Sequence, residues 1–191
     1  MKFFLAVLVI ALSIGGVLYL REESKINSGQ AIKEIGGTYS LTNQDGQIFN
    51  INKYDDKYKL TFFGFTHCPH ICPTTLSVIS NLLEELGNDA AKIKPVFITV
   101  DPARDNPARL KEFSKNFDSR ITYLTGNTKQ IDAVKLKYKA YGNKVKGDAP
   151  NYDMNHSTMI YLLNKDNYYL AHFSYTDDME KIKEIIKSKI D

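Results

Sequence analysis

The sequence predicts an α/β domain on a mainly parallel sheet, preceded by an N-terminal hairpin and a single N-terminal membrane anchor. Three observations carry this. Short runs rich in Val, Ile, Leu and Phe alternate with segments of helical period, the pattern of successive β-α-β units. Two late apolar runs are separated only by Asn164–Asn167, so the sheet gains an antiparallel pair near its end. Finally, Phe3–Leu20 runs 18 residues without a charge, between Lys2 and Arg21-Glu22-Glu23.

That first segment, as a helix, is about 27 Å long, just enough for a hydrocarbon core. A cleaved signal peptide is the competing reading. No small-x-small cleavage pattern follows the apolar core, and no cysteine stands there for lipid attachment, so an uncleaved anchor over residues 1–21 is favoured. Residues 22–36 then form a polar tether and 37–191 the folded domain. With Lys2 retained inside, the domain is exported, and a single-pass protein of a bacterial inner membrane facing the periplasm is expected. A mitochondrial presequence would be Arg-rich and amphipathic, which this segment is not.

Gly37–Leu41 and Gln47–Ile51 read as strands around the turn Asn43-Gln44-Asp45-Gly46. Lys59–Phe65 is a nearly unbroken apolar strand, suited to burial on both faces. A helix over Pro73–Leu86 follows, with Cys72, Leu76, Ile79 and Leu83 at helical spacing and Gly87 as its stop. Pro95–Val100 is the next buried strand. Asn106-Pro107 opens a second helix whose Leu110, Phe113 and Phe117 share a face, and Ile121–Leu124 is a short strand. Thr128 is expected to cap a third helix carrying Ile131, Val134, Tyr138 and Tyr141 and ending at Gly142. Asn143–Asn151 reads as an exposed loop. Thr158–Leu163 and Tyr168–Phe173 make the antiparallel pair. The last helix opens at Asp177, with Glu180 three residues on and Met179, Ile182, Ile185, Ile186 and Ile190 packing it down.

With 191 residues, 25% charged and 43% hydrophobic, the chain has the composition of a globular protein rather than a disordered one. A net charge of +3 with no Arg/Lys stripe interleaved with aromatics gives no nucleic-acid footprint. Lys135–Lys139 reads as a solvated helix face.

The chemistry concentrates in Leu60–Leu76, which holds the only two cysteines, Cys68 and Cys72, and two of the four histidines, His67 and His70. The cysteines stand where a parallel strand becomes a helix, the position at which α/β sheets place their sites. As a structural staple the pair would close a loop worth only about 2 kcal/mol, against about 4.7 for a 100-residue loop. Reactivity or metal binding explains the pair better. Three intervening residues set the thiols at i and i+4, on one face of a helical turn, and a helix N-terminus favours thiolate over thiol. Such a redox-active pair either exchanges with disulfides, becoming a disulfide bond itself, or binds a soft cation. Thiolates select Cu(I) or zinc, and imidazole suits copper in both oxidation states. His67, His70 and the downstream His156 are candidates to complete the site: on a short turn His70 points to a different side from Cys68 and Cys72, while His156 comes from a separate loop that a β-α-β sheet would bring toward the same strand ends. A structural zinc site would want four ligands.

Gly64-Phe-Thr-His-Cys-Pro-His-Ile-Cys-Pro-Thr-Thr-Leu76, Val100-Asp-Pro-Ala-Arg-Asp-Asn-Pro107 and Tyr152-Asp-Met-Asn-His-Ser-Thr-Met-Ile-Tyr-Leu162 resemble, in order, the three motifs of the Sco/SenC family. The resemblance covers the chain from about Gly37 onward and includes the short anchor. It implies a thioredoxin-like fold, a tether to an energy-transducing membrane, and copper, as Cu(I) or Cu(II), bound by Cys68, Cys72 and His156. It also implies a metallochaperone rather than a turnover enzyme. Its partners would be the copper-bearing subunit of cytochrome c oxidase and other assembly factors, and its role copper donor, thiol reductant or both. A thiol–disulfide oxidoreductase, or a redox or copper sensor on the same fold, is the alternative. The CxxxC spacing and the His156-Ser157 approach to the later strand both depart from generic thioredoxins, which have CxxC and a cis-proline.

Two positions depart from the family pattern. His70 and Asn155 stand where aspartates are usual, which makes the pocket less anionic and leaves His70 as a candidate fourth ligand. Asp101, Arg104 and Asp105 match the second motif and are read as loop scaffolding or partner surface. His172, inside a strand, is read as structural.

Overall fold

The computed structural model describes Gly16, residues 34–147 and residues 152–190. The expected anchor apart from Gly16, and nearly all of the expected tether, lie outside those residues. Among the described residues no helix is long and apolar enough to cross a membrane.

A seven-stranded sheet organises Ile35–Asp191. Its strands are β1 (Ser40–Asn43), β2 (Ile48–Asn50), β3 (Tyr58–Gly64), β4 (Ile93–Thr99), β5 (Thr122–Thr125), β8 (Ile160–Leu163) and β9 (Tyr169–Phe173), in the order β2-β1-β5-β4-β3-β8-β9. β3–β4 and β4–β5 are parallel, and the remaining pairs antiparallel. The helices are α1 (Ile71–Glu85), α2 (Pro107–Ser114), α3 (Thr128–Lys137) and α4 (Met179–Lys187). A separate two-stranded sheet joins β6 (Gly142–Lys146) to β7 (Asp153–His156). The expected alternation and the closing antiparallel pair are both present.

β3 is flanked by β4 and β8 and buried from Lys59 to Gly64, which is why its sequence is continuous in apolar residues instead of alternating. It runs directly into the cysteine loop. Gly64, its last residue, has a packing reason to be glycine: a Cβ there would stand 2.7 Å from Cys72 Sγ and 2.8 Å from the Phe97 ring. The missing side chain lets α1 bring Cys72 down onto the sheet.

Several boundaries differ from the sequence reading, each for a local reason. α1 begins at Ile71 with His70 at its N-cap position, so Pro73 is its third residue, still within the first turn. Proline is tolerated there because the first N–H groups of a helix have no intrahelical partner. Gly87, with φ of +54°, supplies the expected left-handed stop. The cap of α3 is Asn127, not Thr128: its side chain accepts from the Gln130 N–H at 2.9 Å while the Gln130 side chain accepts from the Asn127 N–H at 2.9 Å. That helix stops at Lys137, and Lys139, with φ of +49°, turns the chain before Gly142 is reached. α4 is capped by Asp178, whereas Asp177 accepts from the Ser174 N–H at 2.8 Å. Ile185 is exposed on α4 instead of packing it down.

The largest difference is the stretch read as an exposed loop over Asn143–Asn151. Its first part is β6, paired antiparallel to β7 with an irregularity between Lys144 and Lys146. The two strands of the arm, Gly-Asn-Lys-Val-Lys and Asp-Met-Asn-His, are mostly polar with no sustained apolar alternation, so periodicity gave no strand there. Residues 148–151 lie outside the described set.

The close approach at Gly64 can be tested directly. Gly64→Ala is expected to destabilise the fold by about 1–3 kcal/mol, because the surrounding sulfur and ring must move. Denaturant unfolding of the metal-free chain measures it, and an unchanged midpoint would contradict this packing.

Candidate metal centre

β3 delivers the chain to Gly64, and the Cys68 N–H closes a turn onto the Phe65 carbonyl at 3.3 Å. Cys68 therefore lies just before α1, and Cys72 falls in its first turn, buried beneath it. The Cys72 N–H points at Cys68 Sγ, 3.5 Å away, as an unpaired donor at a helix N-terminus should. Both cysteines are free thiols.

His156 ends β7 and reaches the same place from the opposite side. Its Nδ1 lies 3.1 Å from the Phe63 carbonyl and 2.8 Å from the Ser157 carbonyl, so Nδ1 carries a proton and donates. The other nitrogen, Nε2, is thereby aimed at the sulfurs, 3.5 Å from Cys72 Sγ and 3.9 Å from Cys68 Sγ. Phe62 and Phe65 meet the imidazole edge-to-face at centroid distances of 6.2 and 5.5 Å. The ring is walled by aromatics and tied by one nitrogen.

Among the described residues, the side chains gathered with metal-ligating spacing are Cys68, Cys72 and His156, with ligand atoms all within 4.8 Å of one another. Ligand bonds of about 2.0–2.3 Å to a first-row ion put donor atoms roughly 3.5–4 Å apart in a three-coordinate site. The Nε2–sulfur distances already fall in that range. A soft, three-donor set of two sulfurs and one nitrogen fits Cu(I).

His67 and His70 are not in this cluster. His67 is exposed, with Nδ1 3.2 Å from Thr66 Oγ1 and 3.8 Å from Asp105 Oδ1. His70 is exposed at the helix start, as the turn geometry implies. His172 sits on the exposed side of β9, where its Nδ1 lies 2.6 Å from the Tyr169 hydroxyl.

The two thiols are electrostatically unequal. A hydrogen bond from Cys72, against the cost of burial and helped by His156 and backbone N–H groups, lowers the Cys68 thiol to about 3. Cys72 moves the other way, pushed up by its bond to the Cys68 thiolate and by burial. Burial opposes protonation of His156, but the Cys68 thiolate and the carbonyls of Ser157 and Phe63 outweigh it and raise its pKa. The metal-free site is thus a Cys68 thiolate between a Cys72 thiol and a proton-holding imidazole.

The second motif builds the floor. Asp105 is fully buried and accepts from the Thr66 N–H at 3.0 Å and from the Thr66 and Thr99 hydroxyls at 2.6 Å each. It ties the cysteine loop to the end of β4. Asp101, also buried, accepts from the Tyr152 hydroxyl at 2.5 Å and from Arg104 Nε at 2.5 Å. Both carboxylates are spent on the protein's own donors, which is the scaffolding expected of them. Above the thiols a cleft of about 570 Å³ opens to solvent, lined in part by Phe65, Cys68, Arg104, Tyr141 and His156.

Sequence reasoning missed the Phe63 carbonyl and the Phe65 ring as parts of the site. Phe65 carried only the signal of an apolar strand end, and a carbonyl carries none.

The thiol asymmetry predicts a pH profile. Because the Cys68 pKa is lowered, its thiolate persists far below the ordinary thiol range near 8.5, and alkylation of the metal-free reduced chain should continue at about pH 5. Cys72 should label only after unfolding. Mass-spectrometric mapping of iodoacetamide adducts checks both, and a Cys68 rate that collapses below about pH 8 would contradict the arrangement.

The SCO1/SenC family model matches residues 27–191. A SCO2-like protein of Rickettsia felis is 42% identical over 193 aligned positions, spanning 95% of this chain and 94% of that protein. Bradyrhizobium japonicum ScoI, solved with copper bound, superposes with a TM-score of 0.74 at 37% identity, covering 81% of this chain and 98% of that one. Arabidopsis thaliana ScoI, also with copper bound, gives a TM-score of 0.75 at 30% identity over 82% of this chain and 98% of its own. The α/β fold is the thioredoxin-like one of those structures. With the family match running through all three motifs, and with that fold beneath them, this chain belongs to the SCO1/SenC family.

Proposed function

We propose that this chain is a copper metallochaperone, binding one copper ion as cargo through Cys68 Sγ, Cys72 Sγ and His156 Nε2. The observation that carries the reading is the aim of His156: the Phe63 carbonyl holds Nδ1, and Nε2 faces both sulfurs within 3.9 Å. Two family relatives solved with copper bound support the choice of metal. Loading replaces protons with metal. Cys68 is already a thiolate, whereas Cys72 gives up its proton to solvent as it becomes a ligand, and His156 binds through an unprotonated Nε2. The open cleft provides the route in and out.

The destination proposed for the copper is the dinuclear centre of cytochrome c oxidase, the role that family membership implies. The chain is proposed to work from a bacterial inner membrane, held by residues 1–21 and the tether 22–36, with 37–191 facing the periplasm.

A second activity of the same pair is favoured by the split between the thiols. Cys68 as thiolate attacks one sulfur of a partner's disulfide, and the partner's other sulfur leaves as a thiolate and takes a proton from solvent. Cys72 then loses its proton and attacks Cys68, closing the Cys68–Cys72 disulfide and releasing the partner's second thiol. The partner gains two electrons and this chain loses two. Thiol reduction and copper delivery therefore use one pair in two redox states.

Titration of the full-length chain with Cu(I) against a competing chelator is expected to give one equivalent for wild type, and binding weaker by about tenfold or more for His156→Ala. Equal affinity and an unchanged Cu(II) spectrum in that variant would refute the three-ligand site. Zinc at one equivalent in protein purified without added copper would favour the structural-metal alternative. In cells, oxidase that assembles with His156→Ala but not with the cysteine variants would assign the reductase role in place of delivery.

A further inference from the structure

We propose that Arg104 is a positioning residue for the imidazole ligand, a reading that rests on copper binding by Cys68, Cys72 and His156. The partners described for Arg104 are Asp101, Tyr152 and Phe65, none of them a predicted ligand. It lies in the loop after β4, with its side chain 12% exposed, and bridges the two structures that present His156.

The first is the hairpin arm. Among the described residues β7 pairs only with β6, in a sheet separate from the main one, and an isolated pair of strands is marginally stable in water. One end of the arm is fastened by Ser157, whose N–H donates to the Tyr141 carbonyl at 3.0 Å and whose hydroxyl accepts from the Tyr141 N–H at 2.9 Å. The other end, at Tyr152, is fastened by Arg104. Its Nη1 donates to the Tyr152 carbonyl at 3.0 Å, and the guanidinium lies 3.6 Å from the centre of the Tyr152 ring. Asp101 closes the triangle, accepting from both Arg104 Nε and the Tyr152 hydroxyl at 2.5 Å.

The second structure is the Phe65 ring, whose centre is 5.8 Å from the same guanidinium and 5.5 Å from the His156 ring. Arg104 thus bears on the strand that carries the ligand and on the aromatic wall beside it. A planar fork can bond a carboxylate and a carbonyl while stacking on a ring; an ammonium cannot do all three. This geometry gives the arginine of the second motif a task beyond holding its own loop: it limits how far the imidazole strays from the sulfurs.

The test compares full-length wild type with Arg104→Met and Arg104→Lys. In the metal-free state, imidazole nitrogen NMR should show one sharp His156 environment in wild type and exchange broadening in both variants, with the main-sheet amide signals unchanged. After loading, Cu(I) affinity should fall by about 10- to 100-fold in both, the usual effect of removing a group that orients a metal ligand. The nitrogen coupling in the Cu(II) EPR spectrum should also weaken while thiolate charge transfer persists. A wild-type His156 resonance in Arg104→Met, or full rescue by Arg104→Lys, overturns the proposal. Should Arg104→Met fail to fold, Tyr152→Leu decides: it keeps the arginine but removes the stacked ring and hydroxyl, so a broadened His156 signal supports the clamp and a wild-type one overturns it. If wild type shows a sharp metal-free resonance but no imidazole coupling with copper, the three-ligand reading fails, and the NMR comparison still judges Arg104.

Discussion

Everything at this site depends on the hydrogen bond between His156 Nδ1 and the carbonyl of Phe63. Phe63 belongs to β3, the strand whose end also launches the cysteine loop. One strand therefore sets the position of the sulfurs covalently and the orientation of the nitrogen by a bond. Because β3 is buried between β4 and β8, that reference frame is a close-packed interior strand of the sheet. The donor atoms are brought near bonding distance before any metal arrives, so little reorganisation remains for binding to drive.

The same geometry divides labour between chemically identical side chains. Cys68 precedes the helix and receives N–H groups and a thiol, all of which favour the anion. Cys72 lies beneath the helix, where burial and the neighbouring anion favour the neutral form. An attacking thiolate beside a thiol that keeps its proton is the arrangement disulfide exchange requires. Metal binding needs both protons gone, so the pair's response to copper is tied to the proton balance of the site.

Much of the architecture was legible because burial writes itself into composition. β3 and β4 are apolar runs since both faces are covered, Asn106-Pro107 marks a helix start through a side-chain cap and a fixed φ, and Gly87 marks a helix end through its left-handed φ. The cysteines were legible through their spacing at a strand end. His156 was one candidate among three until the family resemblance singled it out, because its placement depends on a long-range meeting of β7 with β3. The β6–β7 arm left no trace, being short, polar and held by side chains such as Arg104 and Tyr152 in place of an apolar face. Asn127 was passed over as a cap since Thr128 is also a good capping residue, and only the reciprocal bond with Gln130 separates them.

The separate hairpin arm has a bearing on turnover. Since β7 has no described ladder bonds to the seven-stranded sheet, lifting His156 away from the sulfurs requires breaking its side-chain bonds but no strand pairing of that sheet. The barrier to surrendering a ligand is then that of a local opening, which lies well below the free energy of global unfolding. On the proposed reading as a copper carrier, such an arm lets the ion be released by a local opening of β7 while the fold beneath it stays closed.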